Sequence, residues 1–287
     1  MPLKIKLKSI FAFATLLGLI CYLGLVTWFN GVPEVMMNET QPMFVSQCIS
    51  SDDLSPLDRQ GELSVAVWNI YKQKRPQWSQ VLTELNQQHD LLLLQEARLN
   101  HVFIDWLQQS QRHVVMAKGF KILNTPMGVM NIATNQALDA CAYQTTEPWI
   151  RFAKSTLVAN YALSNGQQLL VVNLHGLNFD VKLARYKAQW QHVAHRIALH
   201  RGPIILAGDF NTWRAGRMQV VTELTDKLKL KEIKYQTDVR QRVFGWPLDH
   251  IYYRGLNFVD AKSMTTSASD HNPIMARFTL NPAPADK

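Results

Sequence analysis

Ile204-Ile205-Leu206-Ala207-Gly208-Asp209-Phe210-Asn211 decides the reading of this chain. Four apolar residues closed by Gly-Asp are too short for a helix and suit a buried strand that delivers Asp209 and Asn211 at its C-terminal tip. Working outward, the same grammar recurs. Val65-Ala66-Val67-Trp68 ends at Asn69, Leu91-Leu92-Leu93-Leu94 ends at Gln95-Glu96, and Leu169 to Asn173 leads to His175. Leu248 is followed by Asp249-His250, and Ser269-Asp270-His271-Asn272-Pro273 precedes Ile274-Met275. Strands are expected at Leu63 to Trp68, Leu91 to Gln95, Ser155 to Ala162, Gln168 to Asn173, Ile204 to Gly208 and Leu248 to Tyr253. Between them, Trp78, Val81, Leu82 and Leu85 recur at helical spacing, as do Tyr186, Trp190, Val193, Ala194 and Ile197. Each such helix has one apolar face to lay on a sheet, so these aromatics belong to the core. The mixture makes an α/β (α+β) domain of sheets covered by helices, with strand order open.

Any one of these polar residues has an ordinary explanation. An Asp or Asn after a strand usually makes a turn or caps a helix, and a lone His is commonly structural. Turn chemistry does not require all six segments together. If the strands share a rim, carboxylates, amides and imidazoles converge there.

The segments Trp68-Asn69-Ile70, Leu94-Gln95-Glu96, Asn173-Leu174-His175, Gly208-Asp209-Phe210-Asn211, Leu248-Asp249-His250-Ile251 and Ser269-Asp270-His271-Asn272-Pro273 resemble, in order and spacing, the signature of the endonuclease/exonuclease/phosphatase superfamily. Within it, Val67 to Gln73 and Phe244 to Asp249 are most similar to the bacterial YafD-like proteins. The resemblance runs from about Leu63 to Leu280 and implies a four-layer α-β-β-α sandwich like that of deoxyribonuclease I. It also implies Mg²⁺-dependent phosphodiester hydrolysis, with Mn²⁺ as a substitute ion. Mg²⁺ prefers oxygen donors and commonly uses one or two carboxylates, so Glu96 is the expected chief ligand, flanked by Asn69 and Asp270. His271 is expected to act as general base or phosphate-polarising group, oriented by Asp249. Asp209 would hold the attacking water, and Asn211 and His175 would donate to the scissile phosphate. The first motif is Asn69-Ile70-Tyr71, without the second carboxylate of abasic-site endonucleases, which disfavours that role. His175 resembles the deoxyribonuclease and sphingomyelinase branches without choosing between them.

Lys72, Lys74 and Arg75 follow the Asn69 motif, and Arg214 and Arg217 follow Asn211, so both sets are expected to meet phosphates flanking the scissile one. The alternative is ordinary solvated surface. Overall, 30 Lys and Arg stand against 22 Asp and Glu. Setting aside Lys4, Lys6 and Lys8 leaves 27 against 22, enough for an anionic partner but short of a dedicated nucleic-acid clamp. Hydrophobic residues at 47% and charged residues at 18% exclude a disordered or collagen-like chain.

Ile10 to Phe29 is free of charge, and its twenty positions reach about 30 Å as a helix, the thickness of a bilayer's hydrocarbon core. No convincing cleavage site follows. The expected organisation is therefore a basic segment at 1–9, a transmembrane anchor at 10–29, a linker at 30–61 containing Pro33, Pro42 and Pro56, a catalytic domain at 62–281 and a tail at 282–287. The competing reading of the apolar run is a buried core helix, since Thr15, Gly18 and Gly24 dilute it. The lysines before the span, with no Lys or Arg after it until Arg59, put the domain outside the cytoplasm; the YafD-like resemblance points instead to a soluble cytoplasmic protein. Cys21, Cys48 and Cys141 show no zinc spacing; Cys48 and Cys141 have the option of bridging in an oxidising compartment. Nucleic acid is the favoured substrate over phospholipid, and no protein partner is expected. The alternatives are a lipid (sphingomyelinase-like) hydrolase, an inositol-phosphate phosphatase, or a noncatalytic protein binding an anion on the same fold.

Overall fold

The structure is a computed structural model that describes residues 2–37 and 44–282. Met1, Pro42 and residues 283–287 of the expected tail lie outside the described residues. In chain order the elements are α1 (Pro2–Asn30), β1 (Val35–Met37), β2 (Phe44–Ser46), β3 (Cys48–Ser50), β4 (Glu62–Asn69), α2 (Trp78–Gln88), β5 (Leu91–Arg98) and α3 (His101–Ser110). Then come β6 (His113–Ile122), β7 (Thr125–Ala133), β8 (Asp139–Thr146), β9 (Ala153–Ala162), β10 (Gln168–His175), α4 (Ala184–Leu199), β11 (Ile204–Asp209) and α5 (Ala215–Lys227). The chain closes with β12 (Lys231–Glu232), β13 (Arg242–Val243), β14 (Trp246–Pro247), β15 (Asp249–Arg254), β16 (Leu256–Ser263) and β17 (Ile274–Leu280).

The central strands alternate with both faces apolar. In β4, Val65 and Val67 oppose Ala66 and Trp68; in β5, Leu91 and Leu93 oppose Leu92 and Leu94, and all of them are buried. Such a strand must lie between two covering layers. Val65, Val67, Leu91 and Leu93 meet Leu157, Val171, Ile205 and Ile251 of the other sheet in the middle of the molecule. On the outside, Leu82, Leu85, Phe103 and Leu107 of α2 and α3 cover the first sheet. Tyr186, Trp190, Val193 and Ile197 of α4, with Val220 and Val221 of α5, cover the second. The result is the four-layer α-β-β-α sandwich. Trp190 lies edge-on to Phe210, ring centroids 4.8 Å apart, so cutting it back to Ala costs about 3–5 kcal/mol.

The first sheet runs β16-β17-β4-β5-β7-β6-β1-β2 and the second β12-β15-β11-β10-β9-β8-β3. Two pairings position the site. β4 and β5 are parallel with Asn69 opposite Gln95, and β10 and β11 are parallel with His175 opposite Asp209. β15 runs antiparallel to β11 and sets Asp249 opposite Asp209, while β17 enters beside β4 with Ile274 opposite Val67. The C-terminal tips of both parallel pairs thus share one rim with the loop before β17. Gly208 is required on the way: its φ is 139°, and a Cβ there would lie 2.0 Å from the Leu174 carbonyl oxygen.

The N-terminal region differs from the sequence expectation. α1 includes Ile10 to Phe29, and its stretch Ser9–Asn30 is long and apolar enough to cross a membrane, with only Asn30 at its end buried. The core-helix alternative therefore fails. The hydroxyls inside the run are satisfied within the helix, Thr15 donating to Phe11 O at 2.8 Å and Thr27 to Gly24 O at 2.9 Å. The described residues of 30–61 are not a free tether. β1 extends the first sheet through β6, and β3 extends the second through β8. Leu57 is buried, and Asp58 accepts from Ser164 N and Gly61 N. Cys48 and Cys141 face each other across the β3–β8 pair and form a disulfide, Cα atoms 4.1 Å apart. The folded unit accordingly begins at Asn30 instead of near Gly61. Its polar, proline-marked composition concealed short strands that take their stability from neighbours.

Candidate active site

β11 delivers Asp209 to the centre of the rim, where its side chain is engaged from several directions. Oδ1 accepts from the Asn211 backbone N–H at 3.0 Å, and Oδ2 accepts from Asn69 Nδ2 at 3.0 Å. The same Oδ2 lies 3.4 Å from His175 Nε2 and 3.8 Å from His271 Nε2. His271 is held from behind, its Nδ1 paired with Asp249 Oδ2 at 2.8 Å. Its backbone is fixed as well: the carbonyl accepts from Trp68 Nε1, the N–H donates to Ser269 Oγ, and that hydroxyl donates to Asn69 O at 2.6 Å. Segments more than 130 residues apart in sequence are locked together by these bonds.

Glu96 stands beside this cluster. A β-bulge between Leu94 and Ala97 and a φ of 55° at Glu96 turn its side chain out of the sheet alternation and toward the rim. Its carboxylate pairs with the Lys72 ammonium and lies 3.8 Å from Lys154 Nζ. Lys154, which no motif in the sequence marks, also donates to His175 Nε2 at 2.7 Å. Because an ammonium only donates, Nε2 must present its lone pair and the imidazole proton sits on Nδ1. His175 therefore accepts from Lys154 at Nε2 instead of offering a donor there. Asn211 lies in the cleft with Nδ2 donating to Gly176 O at 3.0 Å, which leaves its second amide hydrogen.

Burial pushes the Asp209 carboxyl up to about 6; Asp249 adds to the rise, while His271 and Lys154 oppose it. For His271, burial works against the charged ring, yet the carboxylates of Asp249 and Asp209 carry it up to about 10. Burial, with Lys154 and Lys72 nearby, holds His175 well below its usual value and keeps it neutral. Burial would raise Glu96, but Lys154 and Lys72 outweigh it and hold the carboxyl below its ordinary range.

Asn69, Glu96, Asp270, His175, Asp209, Asn211, His271, Lys72 and Lys154 line one cleft of about 600 Å³. Trp149, Phe179, Trp213 and Phe244 form its apolar margin. Asp249 stands behind His271 and out of the cleft lining. Asp209, Asp249 and His271 offer atoms within 4.8 Å of one another, as a metal cradle would. His271 Nδ1 is taken by Asp249, so within this trio Nε2 and the carboxylate oxygens are left to face an ion or a substrate. Glu96 and Asp270 also line the cleft and offer hard carboxylate oxygens, the donor chemistry a divalent cation such as Mg²⁺ prefers. Asn69 fits less well, because its Oδ1 already accepts from the Tyr71 N–H at 3.1 Å and its Nδ2 serves Asp209.

The expected phosphate-contacting set divides. Lys72 lines the cleft, Lys74 is exposed over the Tyr71 ring, and Arg75 donates to Ser269 O. Arg214 turns to Val181 O. Arg217 is a correction: it is fully buried and donates to the carbonyls of Leu177, Asn211, Asn178 and Asp180, bracing the loop after β10 instead of meeting substrate. Position in sequence placed it after the motif, but the first turn of α5 points it inward.

Residues 66–271 match the Endonuclease/Exonuclease/phosphatase family. The chain belongs to that family. Members similar to it include a UPF0294 protein of Vibrio campbellii, 42% identical over 236 residues that cover 82% of this chain and 84% of the relative. A UPF0294 protein of Yersinia enterocolitica is 39% identical, covering 78% and 86%; these relatives are the YafD-like group. Among solved structures, an endonuclease/exonuclease/phosphatase family protein from Leptotrichia buccalis superposes with a TM-score of 0.60 at 16% identity, covering 76% of this chain and all of that one. The human Nocturnin catalytic domain with bound sulfate gives 0.58 at 17%, covering 82% and 96%. At such identities the likeness shows the shared deoxyribonuclease I-like fold of the family and nothing of substrate.

Proposed function

We propose that this family member is a Mg²⁺-dependent phosphodiester hydrolase held at a membrane by α1. The observation that carries the reading is the contact chain Asp249–His271–Asp209–His175, with Glu96 and Lys154 beside it in one cleft. Glu96 and Asp270 would hold the ion, which when bound supplies Lewis-acid stabilisation to phosphoryl oxygens. The protein's own groups account for the rest. Asp209, ionised at neutral pH yet more basic than an ordinary carboxylate, positions the attacking water and takes its proton. The water oxygen forms a bond to phosphorus, one ester P–O bond breaks, and the leaving oxygen is protonated from cleft water. Of the two roles open to His271, the imidazolium fits the polarising one: with Asp249 behind it, Nε2–H donates to a phosphoryl oxygen whose charge grows in the transition state. Lys154 and the free amide hydrogen of Asn211 add donors on the same side.

Of the basic residues expected to meet flanking phosphates, Lys72 lines the cleft and Lys74 stays exposed beside it, while Arg75, Arg214 and Arg217 are engaged with backbone carbonyls. The Cys48–Cys141 disulfide agrees with an extracytoplasmic domain, since such bonds persist in oxidising compartments. The direct test is a panel of plasmid DNA, RNA, phospholipid and bis(p-nitrophenyl) phosphate with and without Mg²⁺, using wild type, Glu96→Ala and His271→Ala. Hydrolysis that requires Mg²⁺ and collapses in both variants is expected; equal rates in all three proteins would overturn the reading.

A further inference from the structure

The end of α1 is bolted to the catalytic body beside the cleft. Asn30 Oδ1 accepts from the Ala153 N–H at 2.9 Å and Nδ2 donates to Arg151 O at 2.8 Å, while Phe29 meets Phe152 edge-on at 5.8 Å. Phe152 in turn stacks on Phe120 at 4.7 Å. The end of β6, just before its turn into β7, lies against the same end of the helix, with the Lys121 ammonium 4.7 Å from the Trp28 ring centroid. Two segments therefore flank the last turn of the span, and both present apolar side chains to solvent: Leu123 is 92% exposed, Trp149 74% and Ile150 47%. Large exposed apolar side chains gathered beside a Trp and a Lys at a helix end suit a membrane interface.

A groove of about 300 Å³ runs from these segments into the active site. Phe120, Ile122, Ile150 and Phe152 line one end; Lys72, Glu96, Lys154 and His175 line the other. The apolar end adjoins the residues that hold α1, and the polar end belongs to the catalytic cleft. An amphiphile with an acyl chain and an anionic phosphate head matches both ends, whereas a nucleic acid would leave the Phe120–Ile150 wall facing water.

Resting on the hydrolase reading above, we propose that the substrate is a phosphodiester lipid of the bilayer that α1 spans, with one acyl chain in the Phe120–Ile122–Ile150–Phe152 groove and its phosphate between Lys154 and Asp209. Hydrolysis adds water across one P–O ester bond of the head group, with the water proton taken by Asp209 and the leaving oxygen protonated from cleft water, and gives a phosphomonoester and an alcohol without another reactant. The rigid seat of Asn30 matters to this placement, because a free tether would not hold the cleft at the bilayer surface.

The test uses the full chain in nanodiscs of phosphatidylethanolamine and phosphatidylglycerol containing phosphatidylglycerol with a photoreactive acyl chain, illuminated in EDTA so that turnover is absent. Crosslinks are expected in residues 118–128 and 148–154 as well as in α1. Ile150→Asp should reduce the first two by about tenfold, the effect of losing a few buried methylenes, relative to α1 labelling in the same sample. Ile150→Ala provides a smaller loss if the aspartate variant folds poorly. In a second arm with Mg²⁺, kcat/KM should rise with acyl-chain length in wild type and flatten in Ile150→Asp. Labelling confined to α1, or cleavage of DNA with phospholipids left intact, overturns the lipid proposal and leaves the hydrolase reading standing. Groove labelling with no diester hydrolysed on any substrate supports the lipid site and sinks the hydrolase reading instead.

Discussion

Two carboxylates in the same cleft are driven in opposite directions. Asp209 and Glu96 both lose water on folding, which raises a carboxyl's pKa. Asp209 has a second aspartate nearby and ends up at about 6, whereas Glu96 sits between Lys72 and Lys154 and falls below its usual range. The difference divides the labour: a carboxylate that stays ionised suits a cation, and one poised near neutrality suits a proton.

The sharpest way to break that comparison is to remove Glu96. Glu96→Ala should abolish most Mg²⁺-stimulated turnover, read from kcat/KM across a Mg²⁺ titration, and an unchanged titration would show that the ion is held elsewhere. Removing the shared cation comes next. Lys154→Met should lower kcat by about 100- to 1,000-fold, as expected for losing one preorganised donor, and should weaken the ionisation of Glu96. Lys154→Arg should recover part of the rate; an equally dead arginine variant would point to packing instead of charge.

The pH profile sharpens the contrast on the Asp209 side. Asp209 must be ionised and His271 protonated, so the rate should fall as pH drops through about 6 and again as it rises through about 10. Full activity at pH 5 would remove Asp209 from the role of base. The smallest effect on chemistry is expected at Arg217. Arg217→Met strips donors from four buried carbonyls and should lower stability by about 3 kcal/mol in urea titration. KM for a phosphodiester should hold steady in the folded variant, because Arg217 meets no substrate.

The candidate site residues are legible because each borders an apolar run, Asn69, Glu96, His175 and Asp209 at its end and Asp249, Asp270 and His271 at or before its start, and strand boundaries are a local signal. Lys154 is not: the strand is expected from Ser155, and β9 begins at Ala153, so the lysine falls just outside. It reaches His175 only because β9 runs antiparallel to β10 with Thr156 opposite Leu174. A single lysine near a strand start carries no mark of such a neighbour. β6 is hidden for a related reason, since Lys118 and Gly119 interrupt its apolar pattern, and within residues 30–61 β1 and β3 are too short to show a period.

Sequence by itself determined which stretches would be strands buried on both faces, which polar groups would sit at their ends, and that one helix would be apolar enough to cross a bilayer. Those properties depend on residues within a few positions of one another. Only the tertiary structure decided that β10 and β11 lie parallel with His175 at the level of Asp209, that Lys154 joins them, and that Asn30 seats the helix beside the cleft. Strand order and ionisation depend on contacts between distant segments, and spacing along the chain does not encode the burial and fields those contacts create.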